Sequence, residues 1–339
     1  MIKYLGSKRS LIPWIIKVIE ENCPDATSAV DLFSGTSRVG FALKEKGMRV
    51  SSNDHNLFAY YLARCYVETD VEEIPHDFDA IITHLNQMPG KHGFFTENYC
   101  IKSRFFHPKN GEKIDAIRDE IANIDVPDKL KSVLLVSLME AADRVDSTCG
   151  IQMAYLKNWA PRAFLPMTMR MPRLAKKSLH GLSLAHCMDA IEAAHVLQGD
   201  VCYLDPPYNQ HSYRGNYHIW ETLVRNDQPE VYGLAHKRAD CKTSKSIFNS
   251  KPKFKDSLTQ VLTRLKTRYV VLSFSDEGFI SQGDIENILS NLGALKTFSV
   301  DYKRYVGAQI GIYNHQGKKV GDVKKLHNKE YLYVVERRC

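Results

Sequence analysis

Residues 201–208 read VCYLDPPY, an apolar run that stops on an aspartate, two prolines and a tyrosine. Successive prolines hold φ near about −65° and remove two N–H donors, so Asp205 and the Pro206 carbonyl form a rigid bank of acceptors. An exocyclic amine on an aromatic ring needs two acceptors for its hydrogens and a flat surface for the ring, and Tyr208 stands beside the bank. Asp205, Pro206, Pro207 and Tyr208 are therefore the candidate catalytic group. A Pro-Pro turn that merely ended a strand would not require an acid before it and an aromatic after it.

A second strand end carries complementary chemistry. In DLFSGTSRVG, residues 31–40, Gly35 lets the backbone approach a ligand, and Asp54, 23 residues after Asp31, is placed to accept hydrogen bonds from ribose hydroxyls. A dinucleotide site would use the same layout, so glycine and acid alone do not choose between ligands. The run Gly35-Thr36-Ser37-Arg38-Val39-Gly40 departs from GxGxxG and specifies no diphosphate cradle.

These corners need strands and helices to hold them. Leu11, Ile12, Ile15, Ile16 and Ile19 recur at helical spacing, with Ser7 as the expected cap. SAVDLFSG, VGFALKEKG and MRVSSND then read as strand, helix closed by Gly47, and strand, a parallel βαβ unit. From about Ala63 to Ser178 that rhythm stops: KIDAIRDEIANI and DKLKSVLLVSLMEAADRV are amphipathic, and the segments around them are irregular and rich in proline and aromatics. Short strands return at 182–186, 201–205 and 269–275, followed by helices and the closing strands LKTFSVDY and EYLYVVE. The expected class is α/β: a doubly wound sheet interrupted once, by a mainly helical insertion at 63–178, with 1–62 and 179–339 forming the sheet domain.

Composition limits the partners. The 339 residues carry 46 Lys and Arg against 39 Asp and Glu, a net +7 that is unevenly placed. Ala235–Arg268 holds ten basic residues and two acids, and Ile151–Ser178 six and none, whereas Asn110–Asp146 holds nine acids and five bases. Local basic blocks of this kind point to a polyanion on one face. Eight scattered cysteines without a CxxC pair argue against a zinc site and a disulfide framework, and imply reduced thiols in a cytoplasmic protein. No apolar run reaches membrane-spanning length, so no membrane partner is expected.

DPPY, with DLFSGTSRVG upstream and KYLGSKRSL at the N-terminus, resembles the alpha group of S-adenosyl-L-methionine-dependent DNA adenine-N6 methyltransferases, to which the Dam enzymes belong. The order of motifs matches over nearly the whole chain, and NYHIWETLVR is similar to the modification methyltransferases of type IIS restriction systems. The resemblance implies a Rossmann-like class I methyltransferase sheet, with the insertion serving target recognition. It implies S-adenosyl-L-methionine as cofactor, held by Tyr4, Gly6 and Lys8, with Asp31, Phe33 and Gly35 beside its methionine part, Asp54 on the ribose and Asp189 near its adenine. Asp205, Pro206 and Tyr208 become the site of the target adenine, which must be flipped from double-stranded DNA because N6 is inaccessible inside the duplex. Family members often have glycine where Ser37 stands, a departure that bears on the geometry of the turn. Arg162, Arg170, Arg173, Lys176 and Lys177 are the expected DNA contacts within the insertion. A monomer is expected, with any cognate restriction endonuclease acting separately. RNA adenine methylation, glutamine methylation by a related NPPY corner, and a catalytically silent DNA-binding protein are the rival readings. The size of the insertion disfavours the first, Asp205 the second, and the intact corner with Asp54 the third.

Overall fold

A computed structural model describes residues 1–303, 312–313, 319–321 and 327–338. Its seven-stranded sheet is built from β1 (Ser28–Asp31), β2 (Arg49–Asn53), β3 (Leu184–His186), β4 (Val201–Leu204), β5 (Tyr269–Ser275), β6 (Gly293–Lys303) and β7 (His327–Arg337), in the order β3-β2-β1-β4-β5-β7-β6. β3, β2, β1, β4 and β5 are mutually parallel, and β7 runs antiparallel to both β5 and β6. The order reverses between β1 and β4, which places the ends of those two strands at the crevice where α/β sheets bind ligands.

Strand periodicity sorts the core into two layers. Val201 and Tyr203 of β4, Tyr269 and Val271 of β5, and Leu332 and Val334 of β7 pack with Ile15, Ile16, Ile19, Val39 and Leu43. Their neighbours Cys202, Leu204, Val270, Leu272, Tyr333 and Val335 face the opposite side, against Ala193, Ala194, Phe254, Leu258, Val261 and Ile285. Helices Ile12–Asn22 and Arg38–Glu45 thus cover one face, and Ala190–Val196, Lys251–Arg264 and Gln282–Ser290 the other. Both faces being buried explains why the central strands read as continuous apolar runs rather than as alternation.

One local expectation is corrected. Ser7 caps a single 3₁₀ turn, Lys8–Ser10, and the long helix begins at Ile12 with Pro13 in its first turn, where a missing N–H does no harm. Helix Leu57–Ala63 runs directly into a π-helical turn, Arg64–Glu68, and helices Phe78–Gln87, Pro108–Asn123 and Asp128–Arg144 follow. Their apolar faces form a third core with Phe58, Leu62, Tyr217, Ile219, Trp220 and Leu223, so the helical region is seated on segments from both sides of it in sequence. Buried Lys44 clips the two together, 2.6 Å from Asp70 and donating to the carbonyls of Val67 and Thr69.

Candidate active site

A cavity of about 150 Å³ opens at the switch point. Every residue the sequence assigned to a cofactor lines it: Tyr4, Gly6, Lys8, Asp31, Phe33, Gly35, Asp54 and Asp189, joined by Asp205 and Pro207. Pro206 and Tyr208 lie beside its wall rather than in it.

The turn after β1 is built from left-handed backbone. Gly35 has φ +50°, and Ser37 has φ 57° and ψ 24°, the conformation glycine enters freely and serine enters at a cost. Ser37 thus occupies the geometry that glycine would supply, fully buried, with its amide donating to the Ser34 carbonyl. A Cβ at Gly35 would come 3.3 Å from Cε1 of Tyr4. Asp54, at the end of β2, holds the turn from the far side: one carboxylate oxygen accepts the Gly35 amide at 2.9 Å and the other the Asn56 amide at 2.8 Å. Asp31 accepts the Gly40 amide at 3.0 Å, and burial raises its carboxyl to about 7. Asn53 ties the exits of three strands together by donating to the carbonyls of Leu32 and Met188. Asp189 is exposed at the rim and caps the helix that begins at Ala190.

At the end of β4, Asp205 faces Lys8, whose Nζ lies 3.1 Å from Oδ1. The same ammonium lies 2.8 Å from Oε1 of Glu330 on β7, a fully buried carboxylate that also accepts the Ser273 hydroxyl at 2.6 Å. Burial raises Asp205 to about 6, while the Lys8 charge pulls it down and Glu330 pushes it up. Tyr208 leaves the corner with its ring edge-on to Phe274, centroids 5.5 Å apart, and its carbonyl accepts the Phe279 amide.

The stretch after the corner adds Tyr213 to the wall, a residue that the sequence reading did not assign singly. Tyr4 is sandwiched by Tyr213 and Tyr217, with centroids 5.0 and 4.7 Å away and planes within 14° of parallel. Residues 244–249 also line the cavity, and Asn249 donates to the carbonyls of Asn209 and His211, which fastens the basic segment to the loop after the corner. Glu330 carried no signal, because an acid in a closing strand reads as an edge residue and its partner is at the other end of the chain.

The wall suits a nucleoside with a charged tail. Gly35 permits close backbone approach, Asp54 and Asp189 offer acceptors, and Phe33, Met188, Ile247 and Phe248 offer apolar surface. The Ser34 hydroxyl is buried there without a partner among the described residues, as a group awaiting a ligand would be.

Away from the cavity, the predicted DNA contacts divide. Arg162 is engaged internally, 2.8 Å from Asp146 and donating to the Thr148 carbonyl at 2.6 Å. Arg173 pairs with Glu45 and lies 5.4 Å over the Phe41 ring. Arg170, Lys176 and Lys177 are exposed.

A sheet in this order, with a glycine turn after its first strand and an Asp-Pro-Pro-Tyr corner at its switch point, defines a Rossmann-like methyltransferase. The chain belongs to the D12 class N6 adenine-specific DNA methyltransferase family, whose model matches residues 4–288. It is 30% identical to the type II methyltransferase M.FokI of Planomicrobium okeanokoites, over 99% of this chain and 53% of that protein. It is 27% identical to the type II methyltransferase M.NlaIII of Neisseria lactamica, over 99% of both, and 28% identical to the modification methylase StsI of Streptococcus sanguinis, over 99% of this chain and 52% of that one. The chain therefore spans about half the length of M.FokI and StsI and nearly all of M.NlaIII. None of the described helices is long and apolar enough to cross a membrane.

Proposed function

We propose that this protein methylates N6 of a flipped-out adenine at a specific site in double-stranded DNA, using S-adenosyl-L-methionine, as the modification partner of a separately acting restriction endonuclease. The observation that carries the reading is the placement of Asp205 in the wall of the cavity that Tyr4, Gly35 and Asp54 also line. Tyr4, Gly6 and Lys8, with Asp31, Phe33, Gly35, Asp54 and Asp189, would hold the cofactor, and Ser34 offers its buried hydroxyl. The cofactor supplies an electrophilic methyl group when bound.

The protein's own work is positioning and electrostatics. Adenine N6 is a poor nucleophile because its lone pair is delocalised into the ring. The Asp205 carboxylate and the Pro206 carbonyl accept its two hydrogens and favour a more pyramidal nitrogen, with Pro206 and Pro207 holding the acceptors in place. Tyr208 offers the face on which the flipped base stacks, which offsets part of the few kcal/mol spent on unstacking. Residues 63–178 form the target-recognition unit, in which Arg170, Arg173, Lys176 and Lys177 are exposed cations available to DNA, Arg173 on leaving a surface pair with Glu45, while Arg162 would have to leave Asp146. The protein acts as a cytoplasmic monomer in this reading.

Methylation-aware sequencing of DNA from a methylation-free host expressing this chain tests the proposal. N6-methyladenine confined to one sequence context is the expected result; methylation found only in RNA would overturn it.

A further inference from the structure

We propose that Glu330 is a positioning residue which, through Lys8, sets how strongly Asp205 accepts the amine of the target adenine. Two carboxylates share one ammonium here: Lys8 Nζ lies 2.8 Å from Glu330 and 3.1 Å from Asp205. Lys8 is 7% exposed and Glu330 not at all, so neither charge is quenched by water. Were Lys8 paired with Asp205 alone, the ammonium would neutralise the carboxylate and weaken it as an acceptor. Glu330 draws the ammonium toward β7, its carboxylate held in place by the Ser273 hydroxyl of β5, and the trio keeps one negative charge in excess. Oε2 of Glu330 has no hydrogen-bond partner among the described residues, so the buried charge rests there on Lys8 and the Ser273 hydroxyl, both at Oε1.

Other groups pack around the trio. Tyr203, Tyr208, Tyr213 and Tyr302 face it from β4, the corner, the following loop and β6, and burial raises each phenol above its ordinary range, so all four stay neutral. Asp31, Asp54 and Asp189 are the further carboxylates in the cavity wall. Burial and Glu330 hold the Asp205 carboxyl above its ordinary range while Lys8 pulls it down, so the two partners act on it in opposite directions.

The inference rests on placing the adenine amine at Asp205, and its test separates the two claims. Carboxyl infrared titration of the ligand-free protein reads Asp205 without substrate, and the pH profile of single-turnover methylation reads it at work. Glu330→Gln should move the carboxyl titration and the acid limb of the rate profile to lower pH by roughly one unit, with a lower plateau rate. Lys8→Met should move both to higher pH, which keeps the proposal testable if one variant fails to fold. Infrared and kinetic midpoints that stay fixed in both variants, with rates scaled equally at every pH, would overturn it. An infrared midpoint that moves while the rate profile does not would uphold the coupling and reject the placement of the amine.

Discussion

Tyr4 and Tyr213 stack with centroids 5.0 Å apart and planes 6° from parallel, joining the N-terminal segment to the loop after the Asp-Pro-Pro-Tyr corner. Tyr217 closes the other face of Tyr4 and bonds the Leu5 amide through its hydroxyl at 2.5 Å. Tyr4 in turn sits against Gly35, so the stack sets the width of the cavity. A double-mutant cycle with Tyr4→Ala and Tyr213→Ala should give a coupling of about 0.5–1.5 kcal/mol in chemical denaturation, as aromatic pairs do. Strictly additive losses would mean that the two rings do not support each other.

Asp54 holds the glycine turn through its bonds to the amides of Gly35 and Asn56. Asp54→Ala strands both donors and should weaken S-adenosyl-L-methionine binding by roughly 1–3 kcal/mol. Unchanged affinity in calorimetry would remove Asp54 from the site.

Asp31 is 1% exposed and its carboxyl is raised to about 7 by burial. A folded-state value above the unfolded one means that the folded protein holds this proton more tightly. The associated stability is fully present below the unfolded value and is lost as pH rises through about 7. Asp31→Asn keeps an acceptor for the Gly40 amide and cannot ionise. Thermal denaturation should show the variant more stable than the parent by about 1–3 kcal/mol at pH 8, with the advantage smaller at pH 5 and gone only below about pH 4. Its cofactor affinity should fall. An advantage equal at both pH values would contradict the assignment.

Within the helical region the arginines should behave differently. Arg170→Ala should leave stability nearly unchanged. It should relax one position of the target sequence by about 1–3 kcal/mol if its side chain reads a base, or weaken all sequences alike if it meets a phosphate. Arg162→Ala removes a partner of the buried Asp146, which Lys3 also pairs at 2.7 Å, and should lower stability before it alters specificity. Competition binding with a panel of duplexes, beside denaturant melts, distinguishes the two; equal behaviour of both variants would contradict this division.

The sheet was legible because its central strands are short apolar runs ending on acids, and both of their faces are buried. Asp31, Asp54 and Asp205 declared themselves by sitting at such ends. What could not be read was partnership across the chain. The ion pairs of Lys8 with Glu330, Arg162 with Asp146 and Arg173 with Glu45 depend on how the segments fold back, which no local spacing encodes. Ser7 was misplaced because a cap looks the same before a 3₁₀ turn as before a long helix. Helix His218–Arg225 is buried along nearly its whole length, with Glu221 held by Arg214, Arg225 and the Phe58 amide, so its packing into the core of the helical region showed only in three dimensions.

The central claim is that the corner at 205–208 receives the target adenine and acts on the chemical step. Single-turnover methylation, with DNA binding measured in parallel, tests it most directly for Asp205→Asn, Tyr208→Ala and Tyr208→Phe. Asp205→Asn turns one acceptor into a donor facing the amine and should slow the step by about 10²-fold or more while DNA affinity is kept. Tyr208→Ala should lose roughly 1–3 kcal/mol of stacking, whereas Tyr208→Phe, which retains the ring, should keep most of the activity. Parent-like methylation by Asp205→Asn, or equal activity of Tyr208→Ala and Tyr208→Phe, would contradict the account.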